Sequence, residues 1–300
     1  PAISSTVRKL TTPAEKVVVM TPVYNIFFNS IYNNGRNVLE NELIYDEDGY
    51  HIDFEDLEEK LSDPQTSLLI FCNPQNPGGK IWDRETIARV GELCDKYHVL
   101  VISDEIHCDL TDPGKEYVPY ASVSEICRNQ CIMCIAPTKT FNIAGMQTAA
   151  VAVPNPVIRH KVWRALNTDE VAEPNAFAVD VAIAAFTRGG NWLDELRSYI
   201  KENKTTVIEY IGKQIPQLKV VPSDATYLLW LDCRGLGSNA SQAAERIREA
   251  TGLYLSAGEQ YGKGGEGFLR MNIACPRARV LEGLERLKKG VEILCSDGQK

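Results

Sequence analysis

The sequence predicts an α/β fold, with a mostly parallel mixed sheet in a large domain and a smaller α+β domain at the C-terminal end. Three observations carry this. Short apolar runs alternate with helical patterns through the first two-thirds of the chain. Several of those runs are apolar throughout, as strands covered on both faces are. Beyond about Gly212 the rhythm changes to short strands and two amphipathic helices. Strand–helix alternation favours parallel pairing through right-handed crossovers. At about 150 residues per domain, 300 residues suggest two domains, placed at 1–190 and 191–300.

In chain order, PAISSTVRKL reads like the middle of a helix, and Val17–Thr21 (VVVMT) is a strand. Val23–Asn33 reads as helix, and Ser67–Cys72 (SLLIFC) as a strand ending in a Pro-, Asn- and Gly-rich turn. In Asp83–Tyr97, Asp83 is a helix N-cap and Ile87, Val90, Leu93 and Cys94 form an apolar stripe. Val99–Ser103, Cys131–Ala136 and Thr148–Val153 are further strands. The region from Phe177 to Gly212 is helical. Strands at Leu218–Val221, Tyr227–Asp232 and Phe268–Ile273, with helices at Ala240–Thr251 and Arg277–Leu294, make the smaller unit.

Composition narrows the function classes. Hydrophobic residues make up 44% and charged residues 24%, ordinary for a globular chain. A net charge of −8 argues against a general nucleic-acid or anionic-membrane binder. No run of eighteen apolar residues suggests a membrane span. Nine cysteines, an odd number, suit free thiols in a reducing cytoplasm better than a disulfide framework. Cys131 and Cys134 share a predicted strand at an odd spacing, so they point to opposite faces and make no metal pair with Cys127.

Ligands of open α/β sheets bind beyond the carboxyl ends of the strands. Four ends are rich in polar or aromatic groups: Pro22-Val23-Tyr24, Asn73-Pro74-Gln75-Asn76-Pro77-Gly78-Gly79, Asp104-Glu105-Ile106-His107 and Pro137-Thr138-Lys139-Thr140. Each has a bland alternative, as a turn, an N-cap, a solvated lysine or a core aromatic. Together, a Lys, an Asp, an Asn and a Tyr meet the needs of pyridoxal 5'-phosphate, which takes a Schiff-base lysine and an acidic partner for its pyridine nitrogen.

TPVY, NPQNPGG, SDEIH, PTKTFNIAG and FLRMNIACPR occur in this order. By these motifs the chain resembles the fold-type I, pyridoxal-phosphate-dependent aminotransferase class I/II superfamily. Within it, SDEIH points to the MalY/PatB-type cystathionine β-lyase (C–S lyase) branch. The resemblance implies the aspartate aminotransferase-like fold, a homodimer, and an N-terminally truncated chain that lacks an upstream phosphate-binding turn. It makes Lys139 the catalytic lysine and Asp104 the partner of the pyridine nitrogen. Asn76 faces the phenolic oxygen, Tyr24 stacks on the ring, and His107 stands where many aminotransferases carry Tyr. Arg270 grips the substrate carboxylate with a planar fork. Thr138 is the remaining phosphate candidate, since Ala136 and Gln147 replace the usual Ser/Thr and Arg. Arg277 is expected to support the last helix.

The implied reaction cleaves L-cystathionine or a related cysteine S-conjugate to a thiol, pyruvate and ammonia. An aminotransferase of amino acids and a non-catalytic, cofactor-binding regulator are the alternatives.

Overall fold

A computed structural model describes residues 1–297. The large unit contains helix α1 (Ala2–Leu10), strand β1 (Lys16–Thr21), α2 (Ile26–Tyr32), β2 (Asn37–Glu42), the hairpin β3 (Ile44–Asp46) and β4 (Gly49–His51), α3 (Phe54–Ser62), β5 (Thr66–Cys72), α4 (Arg84–Lys96), β6 (Leu100–Asp104), α5 (Glu125–Gln130), β7 (Cys131–Ile135), α6 (Pro137–Thr140), β8 (Ala150–Ala152), α7 (Pro156–Thr168) and α8 (Ala178–Arg188). There follow α9 (Gly190–Gln214), β9 (Lys219–Val220), β10 (Leu228–Asp232), α10 (Ala240–Thr251), β11 (Ser256–Ala257), β12 (Phe268–Asn272) and α11 (Arg277–Asp297).

The main sheet has the order β2-β1-β5-β6-β7-β8. Every pairing from β2 to β7 is parallel, and only β8 runs antiparallel to β7. Alternation along the strands feeds two cores. Val18, Leu69, Phe71 and Val101 pack on one face with Leu57, Ile87 and Val90 of α3 and α4. Val17, Val19, Ile70 and Ile102 pack on the other with Val7, Phe27 and Val162 of α1, α2 and α7. Cys131 belongs to the first core and Cys134 to the second, as their odd spacing requires.

The second sheet, β11-β12-β10-β9, is antiparallel. Its Leu229, Leu231, Leu269 and Met271 make a third core with α9, α10 and α11. From its other face Trp230 reaches the first core and donates its indole N–H to Tyr50 Oη at 2.8 Å. The two sheets are thereby fixed to each other.

The structure corrects several boundaries. The helix expected over Val23–Asn33 occupies only Ile26–Tyr32, which leaves Tyr24 in the loop beyond β1. The helical region from Phe177 to Gly212 is two helices broken at Gly189, where a Cβ would lie 2.3 Å from Cε1 of Phe141. The strand expected at Thr148–Val153 shrinks to three residues. Asp83 caps α4 as expected, accepting the Thr86 N–H at 2.7 Å. Arg277 serves the framework, bonding Asn203 Oδ1 at 3.1 Å and Glu202 at 2.6 Å.

Candidate active site

Strands β1, β5, β6 and β7 are neighbours and run the same way, so their carboxyl ends open on one edge of the sheet. Beyond β5 the chain turns through Gly79, whose φ of 69° favours glycine. The Gly79 carbonyl accepts the N–H groups of Asp224 and Ala225 at 2.9 and 3.0 Å. This pins the Asn76 loop against the segment that leads into β10. Lys139 sits on the single turn of α6, entered by Pro137 at its first position. Two residues on, the Phe141 ring stacks on Trp192 and meets Phe186 edge-on, which braces that turn.

A cavity of about 250 Å³ at this edge brings together Tyr24, Asn76, Asp104, His107, Lys139 and Arg270. Of the residues singled out in the sequence, only Thr138 stays outside it, lining a neighbouring cavity of about 370 Å³. Tyr227, Asn272 and Cys72 also line the first cavity, and sequence reasoning missed them. Asn272 had a signal: it lies two residues after Arg270 on a strand, hence on the same face. Tyr227 had none.

The electrostatics are specific. The Asp104 side chain is buried, and its one hydrogen bond among the described residues comes from the Ile106 N–H at 3.1 Å. Burial, reinforced by neighbouring Glu105, pushes its carboxyl up to about 6, against the pull of Lys139. His107 is buried with its Nδ1 lacking a partner among the described residues, and its ring stands edge-on to Tyr227 at 6.0 Å. Burial, then the charges of Lys139 and Arg270, push it down to about 3, so it is a neutral imidazole at pH 7. Burial raises the Tyr24 phenol, and Asp104 adds to this.

Arg270 arrives from the second sheet, opposite Trp230 in the β10–β12 register. Its guanidinium lies over the Tyr261 ring at 5.1 Å and points one N–H at Asn76 Oδ1, 3.4 Å away. That contact leaves the Asn76 amide N–H group free to donate. Glu105, the other carboxylate of SDEIH, turns away into a cage. It accepts from Ser103 Oγ at 2.8 Å, from the Tyr120 N–H at 3.0 Å and from the Tyr117 hydroxyl.

An under-bonded carboxyl, an amine, a free amide donor and a buried imidazole nitrogen without a partner fit a polar aromatic ring. A pyridoxal ring suits the set: Asp104 would face its ring nitrogen, Asn76 its phenolic oxygen, and Lys139 its carbonyl carbon. Gln147, by contrast, is exposed and in the left-handed region.

Comparison with known proteins agrees. Residues 2–287 match the family described as aminotransferase class I and II. Cystathionine beta-lyase PatB of Bacillus subtilis is 42% identical over 96% of this chain and 74% of its own length. Protein MalY of Escherichia coli is 32% identical over 95% of this chain and 73% of its own. The crystal structure of cystalysin from Treponema denticola, which contains a pyridoxal 5'-phosphate cofactor, superposes with a TM-score of 0.95 at 33% identity. It covers 98% of this chain and 75% of that one.

Proposed function

The chain belongs to the aminotransferase class I and II family, and from that premise we propose that it is a pyridoxal-phosphate-dependent C–S β-lyase. The substrate is L-cystathionine or a related cysteine S-conjugate. With one water, R–S–CH₂–CH(NH₃⁺)–COO⁻ gives RSH, pyruvate and ammonium. The observation that carries this reading is the meeting of Lys139, Asp104 and Arg270 in one cavity of a chain 42% identical to a cystathionine beta-lyase.

Pyridoxal phosphate, when bound, supplies the electron sink that makes the substrate Cα–H acidic. The residues divide the remaining work. Arg270 receives the α-carboxylate in its planar fork, which fixes the Cα position. Lys139 Nζ takes the Cα proton. Asp104, as the carboxylate, would hold a proton at the pyridine nitrogen, an N–H that would meet the acceptor capacity its single Ile106 contact leaves open. Asn76 donates to the phenolic oxygen. Tyr24 would offer its ring for stacking on the cofactor, and neutral His107, its Nδ1 unpaired among the described residues, would act near the phenolic oxygen. Thr138 stands apart from these groups, in the neighbouring cavity, and takes no role at the ring.

The test is pyruvate release from L-cystathionine with no keto-acid acceptor. Stoichiometric pyruvate supports the lyase. Turnover that requires 2-oxoglutarate makes the chain an aminotransferase, and binding of the cofactor without turnover makes it a regulator.

We also assign residues 1–190 to the cofactor domain and 191–300 to the small domain. In support, Ile200, Val207 and Ile211 of α9 lie in the core beneath the second sheet. A homodimer is supported by the exposed Phe177, Val179, Ile183 and Phe186 in and beside α8. A cytoplasmic location is supported by nine free thiols. Light scattering and cell fractionation test these two assignments. Among the described residues, no helix is long and apolar enough to cross a membrane.

A further inference from the structure

Lys139, Tyr227 and Asn272 line two cavities at once. The first holds the groups already described. The second, about 370 Å³, opens on the other side of Lys139 and is larger than the first. Its far wall is Trp192, Leu196, Tyr199 and Ile200, all from α9. The remaining lining is small, apolar or amide-bearing, and Lys139 is its only charged residue among the described residues.

We propose that this second cavity is the subsite for the sulfur substituent of the substrate, and that it selects uncharged, apolar or aromatic thiol leaving groups. The proposal rests on the lyase reading for the identity of the reacting bond. The geometry supplies the rest. With Arg270 on the carboxylate and Lys139 at Cα, the adjoining cavity that shares Lys139 with the first is the space offered to the side chain beyond Cβ. Lys139 and Tyr227 stand at the junction of the two cavities. The chemistry of the wall then decides between substituents. The distal half of cystathionine carries an ammonium and a carboxylate. Burying either without a partner is costly. No lining residue among the described residues is acidic or an arginine, and Arg277, over the outer wall at the Tyr199 ring, is already paired with Glu202 and Asn203. An aromatic or alkyl substituent gains from burial against Trp192 and Leu196. L-Cysteine, whose side chain ends at sulfur, does not reach this wall.

The experiment compares kcat/KM of the holoenzyme for S-benzyl-L-cysteine, L-cystathionine and L-cysteine. S-Benzyl-L-cysteine should exceed L-cystathionine by roughly tenfold or more. Leu196→Glu introduces a charge into the wall and should lower the S-benzyl value at least tenfold, leaving L-cysteine within about twofold. Leu196→Ala, which shortens the same wall without adding a charge, should act in the same direction. The proposal is overturned if L-cystathionine equals or exceeds S-benzyl-L-cysteine, or if the variants lower L-cysteine as much as the conjugate.

Calorimetric binding of 2-amino-5-phenylpentanoate, in which CH₂ replaces the sulfur, separates the subsite from the reaction. Binding that weakens roughly tenfold in both variants, with no pyruvate from any substrate, keeps the subsite and rejects the lyase. Unchanged binding in both variants rejects the subsite whatever the turnover.

Discussion

Replacing Asp112 should destabilise the protein far more than its loop position suggests. Its carboxylate is 4% exposed and meets Lys204 Nζ at 2.6 Å, a side chain only 2% exposed on α9. Lys201 Nζ bonds the second oxygen at 2.9 Å but is 46% exposed. The loop that follows His107 is tied to α9 through this contact. In Asp112→Ala, Lys201 swings into water at a cost of about 0–1 kcal/mol. Lys204 cannot, and a buried ammonium stripped of its partner costs about 3–5 kcal/mol. Burial already holds the Lys204 amine below its ordinary range despite Asp112. Without the carboxylate it falls further, so the variant binds fewer protons folded than unfolded and regains stability as pH rises above neutrality. Asp112→Ala/Lys204→Met removes the orphan charge and should recover about 2–3 kcal/mol of the loss. Urea denaturation of the wild type, both single variants and the double variant measures this. Single Asp112→Ala and double variants equal within about 0.5 kcal/mol would refute the reasoning, because the penalty would then not reside in Lys204.

Other predictions concern the cavity. Lys139→Ala should lower kcat at least about 10³-fold, read as pyruvate release, because no other amine among the described residues lines the cavity. Arg270→Lys keeps the charge but loses the fork, so KM for the amino acid should rise more than kcat falls, in steady-state kinetics. His107 titrates at about 3 folded against 6.5 unfolded, so below pH 6.5 the unfolded chain takes up a proton that the folded one refuses, and stability falls with pH. His107→Gln removes this term. Its stability relative to wild type should improve by about 2–3 kcal/mol between pH 7 and pH 4.5, and a flat difference in urea titrations would contradict the assignment.

The main strands were legible because strands buried on both faces must be apolar throughout, as in VVVMT and SLLIFC. Edge strand β2 was not. NVLENE is partly exposed and is held by backbone pairing to β1, which any side chains permit. Helix α7 was also missed, although Asn155 caps it and Pro156 opens it, because its face is mostly exposed and its apolar periodicity weak. Tyr24, Asn76, Asp104 and Lys139 were legible as strand ends. Arg270 was legible only through resemblance, because nothing local shows that β12 will swing it against Asn76.

The two adjacent carboxylates of SDEIH show how structure separates function from framework where sequence cannot. Alternation places Asp104 and Glu105 on opposite sides but does not say which side holds the chemistry. Hydrogen-bond accounting does. Glu105 accepts from a serine, a tyrosine and a backbone amide, which uses most of what a carboxylate can accept, so its burial is compensated and it locks the strand end. Asp104 accepts one backbone N–H and is otherwise enclosed beside the Cys72 and Cys134 thiols, its register neighbours, which are weak donors. A buried carboxyl left with that much unmet capacity costs stability unless a ligand meets it. Glu105→Gln should therefore loosen the strand end while sparing the cavity. Asp104→Asn, which keeps shape and the Ile106 contact, should fold normally and lose turnover. Near-normal activity in Asp104→Asn would reverse the assignment of the two carboxylates.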